Sequence, residues 1–162
     1  MFDRIIRNGS KVLGVVLGAV VAAGSAQAMD ARSVGGLVTV KSMHSVAATA
    51  DKLVAVLESK GMNVFARIDH AGGAAKVGQS LKPTQLVIFG NPKVGTPLMQ
   101  CARTVAIDLP QKMLIWEADD GQVMLGYNSP QYLNGRHGLG KCEPVLKKVE
   151  GALANFAAAA AK

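Results

Sequence analysis

The run Leu86-Val87-Ile88-Phe89 is continuously apolar and stops abruptly at Gly90-Asn91-Pro92. An apolar run of this length closed by turn residues suits a central, buried strand. Pro92 then stands where a first helical residue would. Its fixed φ suits that position, and its missing N–H would have had no intrahelical partner. A buried strand that turns directly into a helix favours a layered molecule, in which a sheet is covered by helices on a face.

The rest of the chain fits such layers. Leu37, Val38 and Val40 support a strand over residues 36–42. Val46, Ala50, Leu53, Val54 and Leu57 recur at three- and four-residue steps, which predicts a helix capped by Ser45 and ended by Gly61. Met62, Val64, Ala66 and Ile68 alternate with Asn63, Phe65 and Arg67, the two-residue period of a strand. Residues 70–78 read as a short helix, 84–89 as the buried strand, and 93–103 as a helix made irregular by Gly95 and Pro97. Asp120-Gly121 favours a two-residue turn, so residues 111–118 and 122–127 read as a hairpin. A helical turn at 131–134 leads into a Gly-rich connection. The last helix starts near Pro144 and places Val145, Leu146, Val149, Leu153 and Phe156 on one face. The tail 157–162 offers little to bury and is expected to fray. Strands separated by helices and ending in a hairpin predict a single-domain α+β sandwich: a mixed, largely antiparallel sheet with helices packed on it.

Arg4, Arg7 and Lys11 precede an uncharged run over residues 12–24 and the segment Ser25-Ala26-Gln27-Ala28. This pattern predicts a signal peptide, residues 1–28, cut before Met29 and directing the mature chain, 29–162, to the periplasm or outside the cell. A transmembrane anchor is the competing reading. Against it, the run is short, rich in Gly and Ala, and followed by no basic stop, so no stable membrane anchor is expected after cleavage. No Cys stands at the cut to carry lipid.

The mature part keeps 15 basic and 10 acidic side chains, a formal charge of +5. Such a charge can favour anionic partners. Its basic residues are scattered, however, aromatics for base stacking are few, and no nucleic-acid motif is present, so no nucleic acid partner is expected. Cys101 and Cys142 form an even pair in an oxidising compartment, which makes one disulfide the leading expectation and two buried free thiols the alternative. If bonded they close a loop of about 40 residues, contributing roughly 4 kcal/mol on the chain-entropy view. No Cys-x-x-Cys spacing marks a redox-active pair.

The block Gly90-Asn91-Pro92-Lys93-Val94-Gly95-Thr96-Pro97-Leu98-Met99 resembles the hallmark of the domain-of-unknown-function 302 family. Shorter resemblances are Asp69-His70, Leu109-Pro110-Gln111-Lys112, the hairpin around Trp116 and Gly121, and Tyr127-Asn128-Ser129-Pro130. Together they span nearly all of the mature chain. The resemblance implies the same α+β architecture and leaves the activity open; homodimerisation through sheet edges or the hairpin is inferred from it alone.

Candidate chemistry centres on the same block. Helix-start amides and Lys93 could attract a small anion, but Thr96 follows Gly95 directly, which breaks the Gly-Lys-Ser/Thr order of a nucleotide-binding loop. The simpler account is that Asn91 caps the helix, Pro92 starts it and Gly95 permits close packing. His44, His70 and His137 lack a second ligand at metal-binding spacing. His70 reads as a cap beside Asp69, and His137 as part of an exposed loop. No nucleophile elbow is present, and Asp119 and Asp120 suit a solvated turn. Trp116 alternates either into the core or into a cleft.

These residues lead to the expectation of a non-enzymatic, exported module that binds a small ligand, an anion being the candidate, without a metal or cofactor. Its rim would comprise His70, Asn91, Lys93, Thr96, Tyr127 and Asn128, with Tyr127 or Trp116 as an apolar wall. The alternatives are a redox- or metal-handling protein using His70 with Cys101 and Cys142, and an envelope protein partner with no small ligand.

Overall fold

The computed structural model describes residues 32–162. Among them, six strands form one sheet: β1 (Arg32–Val34), β2 (Leu37–Lys41), β3 (Asn63–Asp69), β4 (Thr84–Gly90), β5 (Gln111–Glu117) and β6 (Val123–Asn128). Their spatial order is β1-β2-β6-β5-β4-β3. Every neighbouring pair is antiparallel, so the expected mixed, largely antiparallel sheet is antiparallel throughout the described residues. The helices are α1 (Val46–Ser59), α2 (His70–Lys76), α3 (Pro92–Cys101), α4 (Pro130–His137) and α5 (Glu143–Ala161), with 3-10 turns at Arg103–Ile107 and Gly140–Cys142. The chain is an α+β single domain, as its strand and helix order predicts. Residues 1–28, the expected presequence, lie outside the described residues.

Helices α1 and α5 pack on each other and cover one face of the sheet. Strand alternation aims Val87 and Phe89 of β4, Met113 and Ile115 of β5, and Leu125 and Tyr127 of β6 into that layer, where all are buried. The opposite face carries Leu86, Leu114 and Trp116, which are half-buried. Trp116 lies across Gly126: a Cβ added there would stand 3.0 Å from its Cζ3 atom.

Local chemistry explains the element ends. Ser45 caps α1 by accepting a hydrogen bond from the Ala48 N–H at 3.3 Å, and Gly61 leaves the helix with φ +70°. The Ser42 and Thr49 hydroxyls, both buried, share a 2.7 Å hydrogen bond that ties the end of β2 to α1.

Four details differ from the pattern read in the sequence. The short β1 pairs with β2 around Gly35-Gly36, both at positive φ. In β3 the register shifts between Val64 and Ala66, a bulge at Phe65 that breaks the simple alternation. The helical turn near residue 131 is a full helix, α4, opened by Ser129, which caps Tyr132 N–H at 3.0 Å. The tail does not fray: α5 continues to Ala161, whose carbonyl accepts a 2.9 Å hydrogen bond from Met43 N–H. Alanine is the strongest helix former, and its small side chain lets the helix come close enough to bury Ala157, Ala160 and Ala161 almost completely.

Candidate functional site

The strand-to-helix junction is built as its residues dictate. Asn91 caps α3 through its Oδ1, which accepts from Lys93 N–H at 2.9 Å, while its Nδ2 donates to the Gly61 carbonyl at 3.0 Å. Val94 and Gly95 N–H both donate to the Asn91 carbonyl. With Pro92 lacking an N–H, the first-turn amides are all engaged, so no amide cradle of the kind expected for an anion stands open at this helix start.

The same junction roofs a cavity of about 330 Å³. Phe89 and Gln111 line it from the sheet, Val94 and Leu98 from α3, and Leu153 and Phe156 from α5. The Phe89 and Phe156 rings meet edge to face with centroids 6.2 Å apart, closing one side. Lys148, exposed on α5, stands at the margin. A pocket of this size lies at the lower end of the range for small-ligand sites, and its walls are mostly apolar, as such sites require.

Gln111 is the unexpected polar member. It precedes Met113 and Ile115 on the core-facing side of β5, and its Nε2 is buried without a hydrogen-bond partner. Alternation along β5 was the signal that could have found it: a glutamine in phase with two buried apolar residues. Lys148 neighbours Val149 at the margin of the apolar stripe of α5, a position that spacing alone does not separate from a solvated face.

Of the residues anticipated from sequence, Asn91 and Thr96 line the cavity. Lys93 is exposed on α3 outside the lining, and His70 is exposed at the start of α2, where Asp69 rather than the histidine provides the cap through a 3.0 Å bond from Gly72 N–H. Tyr127 and Trp116 lie on opposite faces of the sheet, and Asn128 is exposed at the end of β6. The seven residues are therefore not brought into a single rim. Tyr127 is buried, which raises its pKa above 10.0, and the charge of Glu150 raises it further.

Cys101 at the end of α3 and Cys142 ahead of α5 lie at disulfide-bonding distance, with Cα atoms 6.4 Å apart. They connect the two helices that form the cavity walls.

His137 departs from the exposed loop read in the sequence. It ends α4, its side chain is 5 % exposed, and its Nε2 lies 2.6 Å from Asp108 Oδ2 while Nδ1 lies 3.1 Å from Thr104 Oγ1. Arg136 adds a 3.5 Å contact to the same carboxylate. The cluster fastens α4 to the 3-10 turn and lies outside the cavity lining. Among the described residues no group of three or more His, Cys, Asp or Glu is placed to hold a metal ion.

Comparison with known proteins places this geometry in a family. The chain is 51 % identical over 113 residues to the "Fluoride-specific ion channel FluC 1" of Brucella suis biovar 1 (strain 1330), covering 70 % of this chain and 44 % of that protein. The "Fluoride-specific ion channel FluC 1" of Brucella abortus biovar 1 (strain 9-941) matches equally over 70 % of this chain and 42 % of its own length. The chain thus spans less than half of these curated relatives. An uncharacterized conserved DUF302 protein from Bacillus stearothermophilus, solved by crystallography, superposes with a TM-score of 0.62 over 78 % of this chain and 95 % of that one. At 20 % identity that likeness speaks for the fold alone. Residues 38–156, which hold the junction, the cavity and most of α5, match the domain of unknown function DUF302, and the chain belongs to that family.

Proposed function

We propose that this chain is an exported, non-enzymatic module that takes up a small, largely apolar molecule in the cavity between α3, α5 and the β4–β5 end of the sheet. The cavity itself carries the reading: about 330 Å³ of apolar-walled space under the chain's most distinctive block, residues 90–99. Export is supported by the basic and uncharged segments before Met29 and by the cysteine pair at bonding distance, which would be oxidised in the periplasm.

The test is titration with the neutral fluorescent probe N-phenyl-1-naphthylamine. Wild-type protein should enhance its emission saturably, and Ala152→Phe, which projects a ring into the lining, should abolish the effect while the protein stays folded. Uptake unchanged by that substitution would remove the cavity as the site.

A second reading, an envelope protein-partner module without a small ligand, is favoured by the relatives. Proteins named as fluoride channels contain a segment half identical to this chain as the minority of their length. On that reading the domain works beside a membrane transporter, and co-purification with a membrane protein after gentle crosslinking in the native cell would support it. No helix among the described residues is long and apolar enough to cross a membrane.

A further inference from the structure

We propose that the sheet face turned away from α1 and α5 is where a second copy of this chain docks, sheet against sheet, to make a two-fold dimer. The cavity lies on the helix side, so this surface stands apart from the ligand-binding reading. An antiparallel sheet with one solvated face alternates apolar residues inside with polar ones outside. Here the outward positions are apolar as well. Trp116 stands beside Met124, Leu114 beside Leu86, and Leu86 beside Ile68, with Ile88 next along β4. None of these six is buried, and Ile68 is 38 % exposed. The helix between β3 and β4, α2, meets β4 but buries none of its own residues. The continuous run Leu86-Val87-Ile88-Phe89 is that of a strand covered on both sides, and α1 and α5 cover one.

Charge, shape and area favour a second copy as the occupant. No Asp or Glu shares the outward register of β2 to β6. The one central cation, Lys112, is tied through Nζ to the Asp108 and Pro110 carbonyls of its own chain, at 2.9 and 3.1 Å, and Lys41 ends β2 at the margin. Two copies therefore stack without burying an unpaired charge. Trp116 lies flat across Gly126, where a Cβ would stand 3.0 Å from its Cζ3, and this levels the face for sheets packed ~10 Å apart. Five strands ~4.8 Å apart, each with outward residues over ~20 Å, span about 500 Å² per copy. The roughly 1,000 Å² of a pair reaches the size at which specific interfaces begin. The edges compete poorly: β1 has three residues, and the β3 row is interrupted by its bulge.

The experiment is analytical ultracentrifugation of the purified protein from ~1 to ~100 μM, read beside the emission of Trp116, its single tryptophan. A monomer–dimer equilibrium should fall in that range, because an interface at the lower size limit is held weakly. The emission should move to shorter wavelength over the same concentrations as the indole leaves water. Leu114→Arg, at the centre of the face, should weaken the dimer at least ~100-fold, since its charge is buried unpaired. Ile68→Lys should weaken it ~10-fold, and its partly exposed position carries the test if Leu114→Arg fails to fold. Ile107→Lys, 73 % exposed on the 3-10 turn beside α3 and α4, should leave it unchanged. A dimer that both face variants leave intact, or one that forms without a shift in emission, overturns the face-to-face pairing. A protein monomeric throughout overturns the second copy as occupant, whatever other partner the face then takes.

Discussion

Along α5 two kinds of packing follow one another on a single helix. At its C-terminal end Ala157, Ala160 and Ala161 are buried, and Met43 N–H bonds the last carbonyl. Towards its N-terminal side, Val149, Leu153 and Phe156 face the same interior and border about 330 Å³ of open space. The contrast follows side-chain volume. Methyl groups allow the helix to close down, whereas the bulky residues are already in contact with partners, Phe156 with Phe89 across 6.2 Å, before the space is filled. A cavity placed this way is a regular outcome of the sequence along the helix, and the two ends should respond differently to perturbation.

The largest expected effect concerns the link between the cavity walls. With Cys101 and Cys142 bonded across a separation of 41 residues, Cys101→Ser should cost about 4 kcal/mol in urea denaturation of oxidised protein. A reductant should lower wild type to the same level and leave the variant unmoved; a wild type indifferent to reductant would show that the link does not form. The sharpest contrast is one substitution made at both ends. Ala160→Phe overpacks the closed end and should cost ~1–3 kcal/mol. Ala152→Phe should cost less than ~1 kcal/mol, because its ring enters existing space. Equal losses in thermal unfolding would dissolve the distinction between the ends.

Smaller effects sharpen it. Gly95 is helical, and a Cβ there would meet only Leu109 Cδ1 at 3.8 Å, an ordinary contact. Gly95→Ala should therefore stabilise by roughly 0.5–1 kcal/mol. The expectation that Gly95 serves close packing is replaced by one in which its missing side chain enlarges the cavity. The smallest effect belongs to Tyr127, whose pKa is raised by burial and then by Glu150. The neutral phenol is favoured in the fold, so its stabilisation is complete below the unfolded value of 10.0 and is lost as pH rises through the higher folded value. In alkaline unfolding series, Tyr127→Phe should remove that part of the decline.

Local chemistry made much of the fold legible. Ser45, the Asn91-Pro92 pair and Asp120-Gly121 act on neighbours within four residues, and the two helices and the hairpin they predict are present. The hairpin, however, turns on Asp119 and Asp120, where Gly121 N–H donates to the Ala118 carbonyl at 3.0 Å, and not through a two-residue Asp120-Gly121 turn. What sequence obscured depends on distance or parity. Asp108 and His137 meet across 29 residues. One inserted residue at Phe65 changes which β3 side chains share a face, and assigning Trp116 and Tyr127 to opposite sides needs the register of the sheet. The alanine tail lacked large residues to announce burial, because there closeness of approach replaces size. Asn91 and Thr96 were legible as site candidates because they sit in the distinctive block itself. Gln111 was missed because a single amide becomes informative only when its apolar neighbours in phase are seen to be buried.

The Phe65 bulge also bears on colloidal behaviour. β3 is an outer strand of the sheet, and an outer strand with evenly spaced free N–H and C=O groups is a template on which another chain can polymerise. An extra residue at Phe65 kinks that row and increases its twist, so an incoming straight strand cannot match it from end to end. The irregularity that spoils a simple pattern thus also works against fibre growth along this edge.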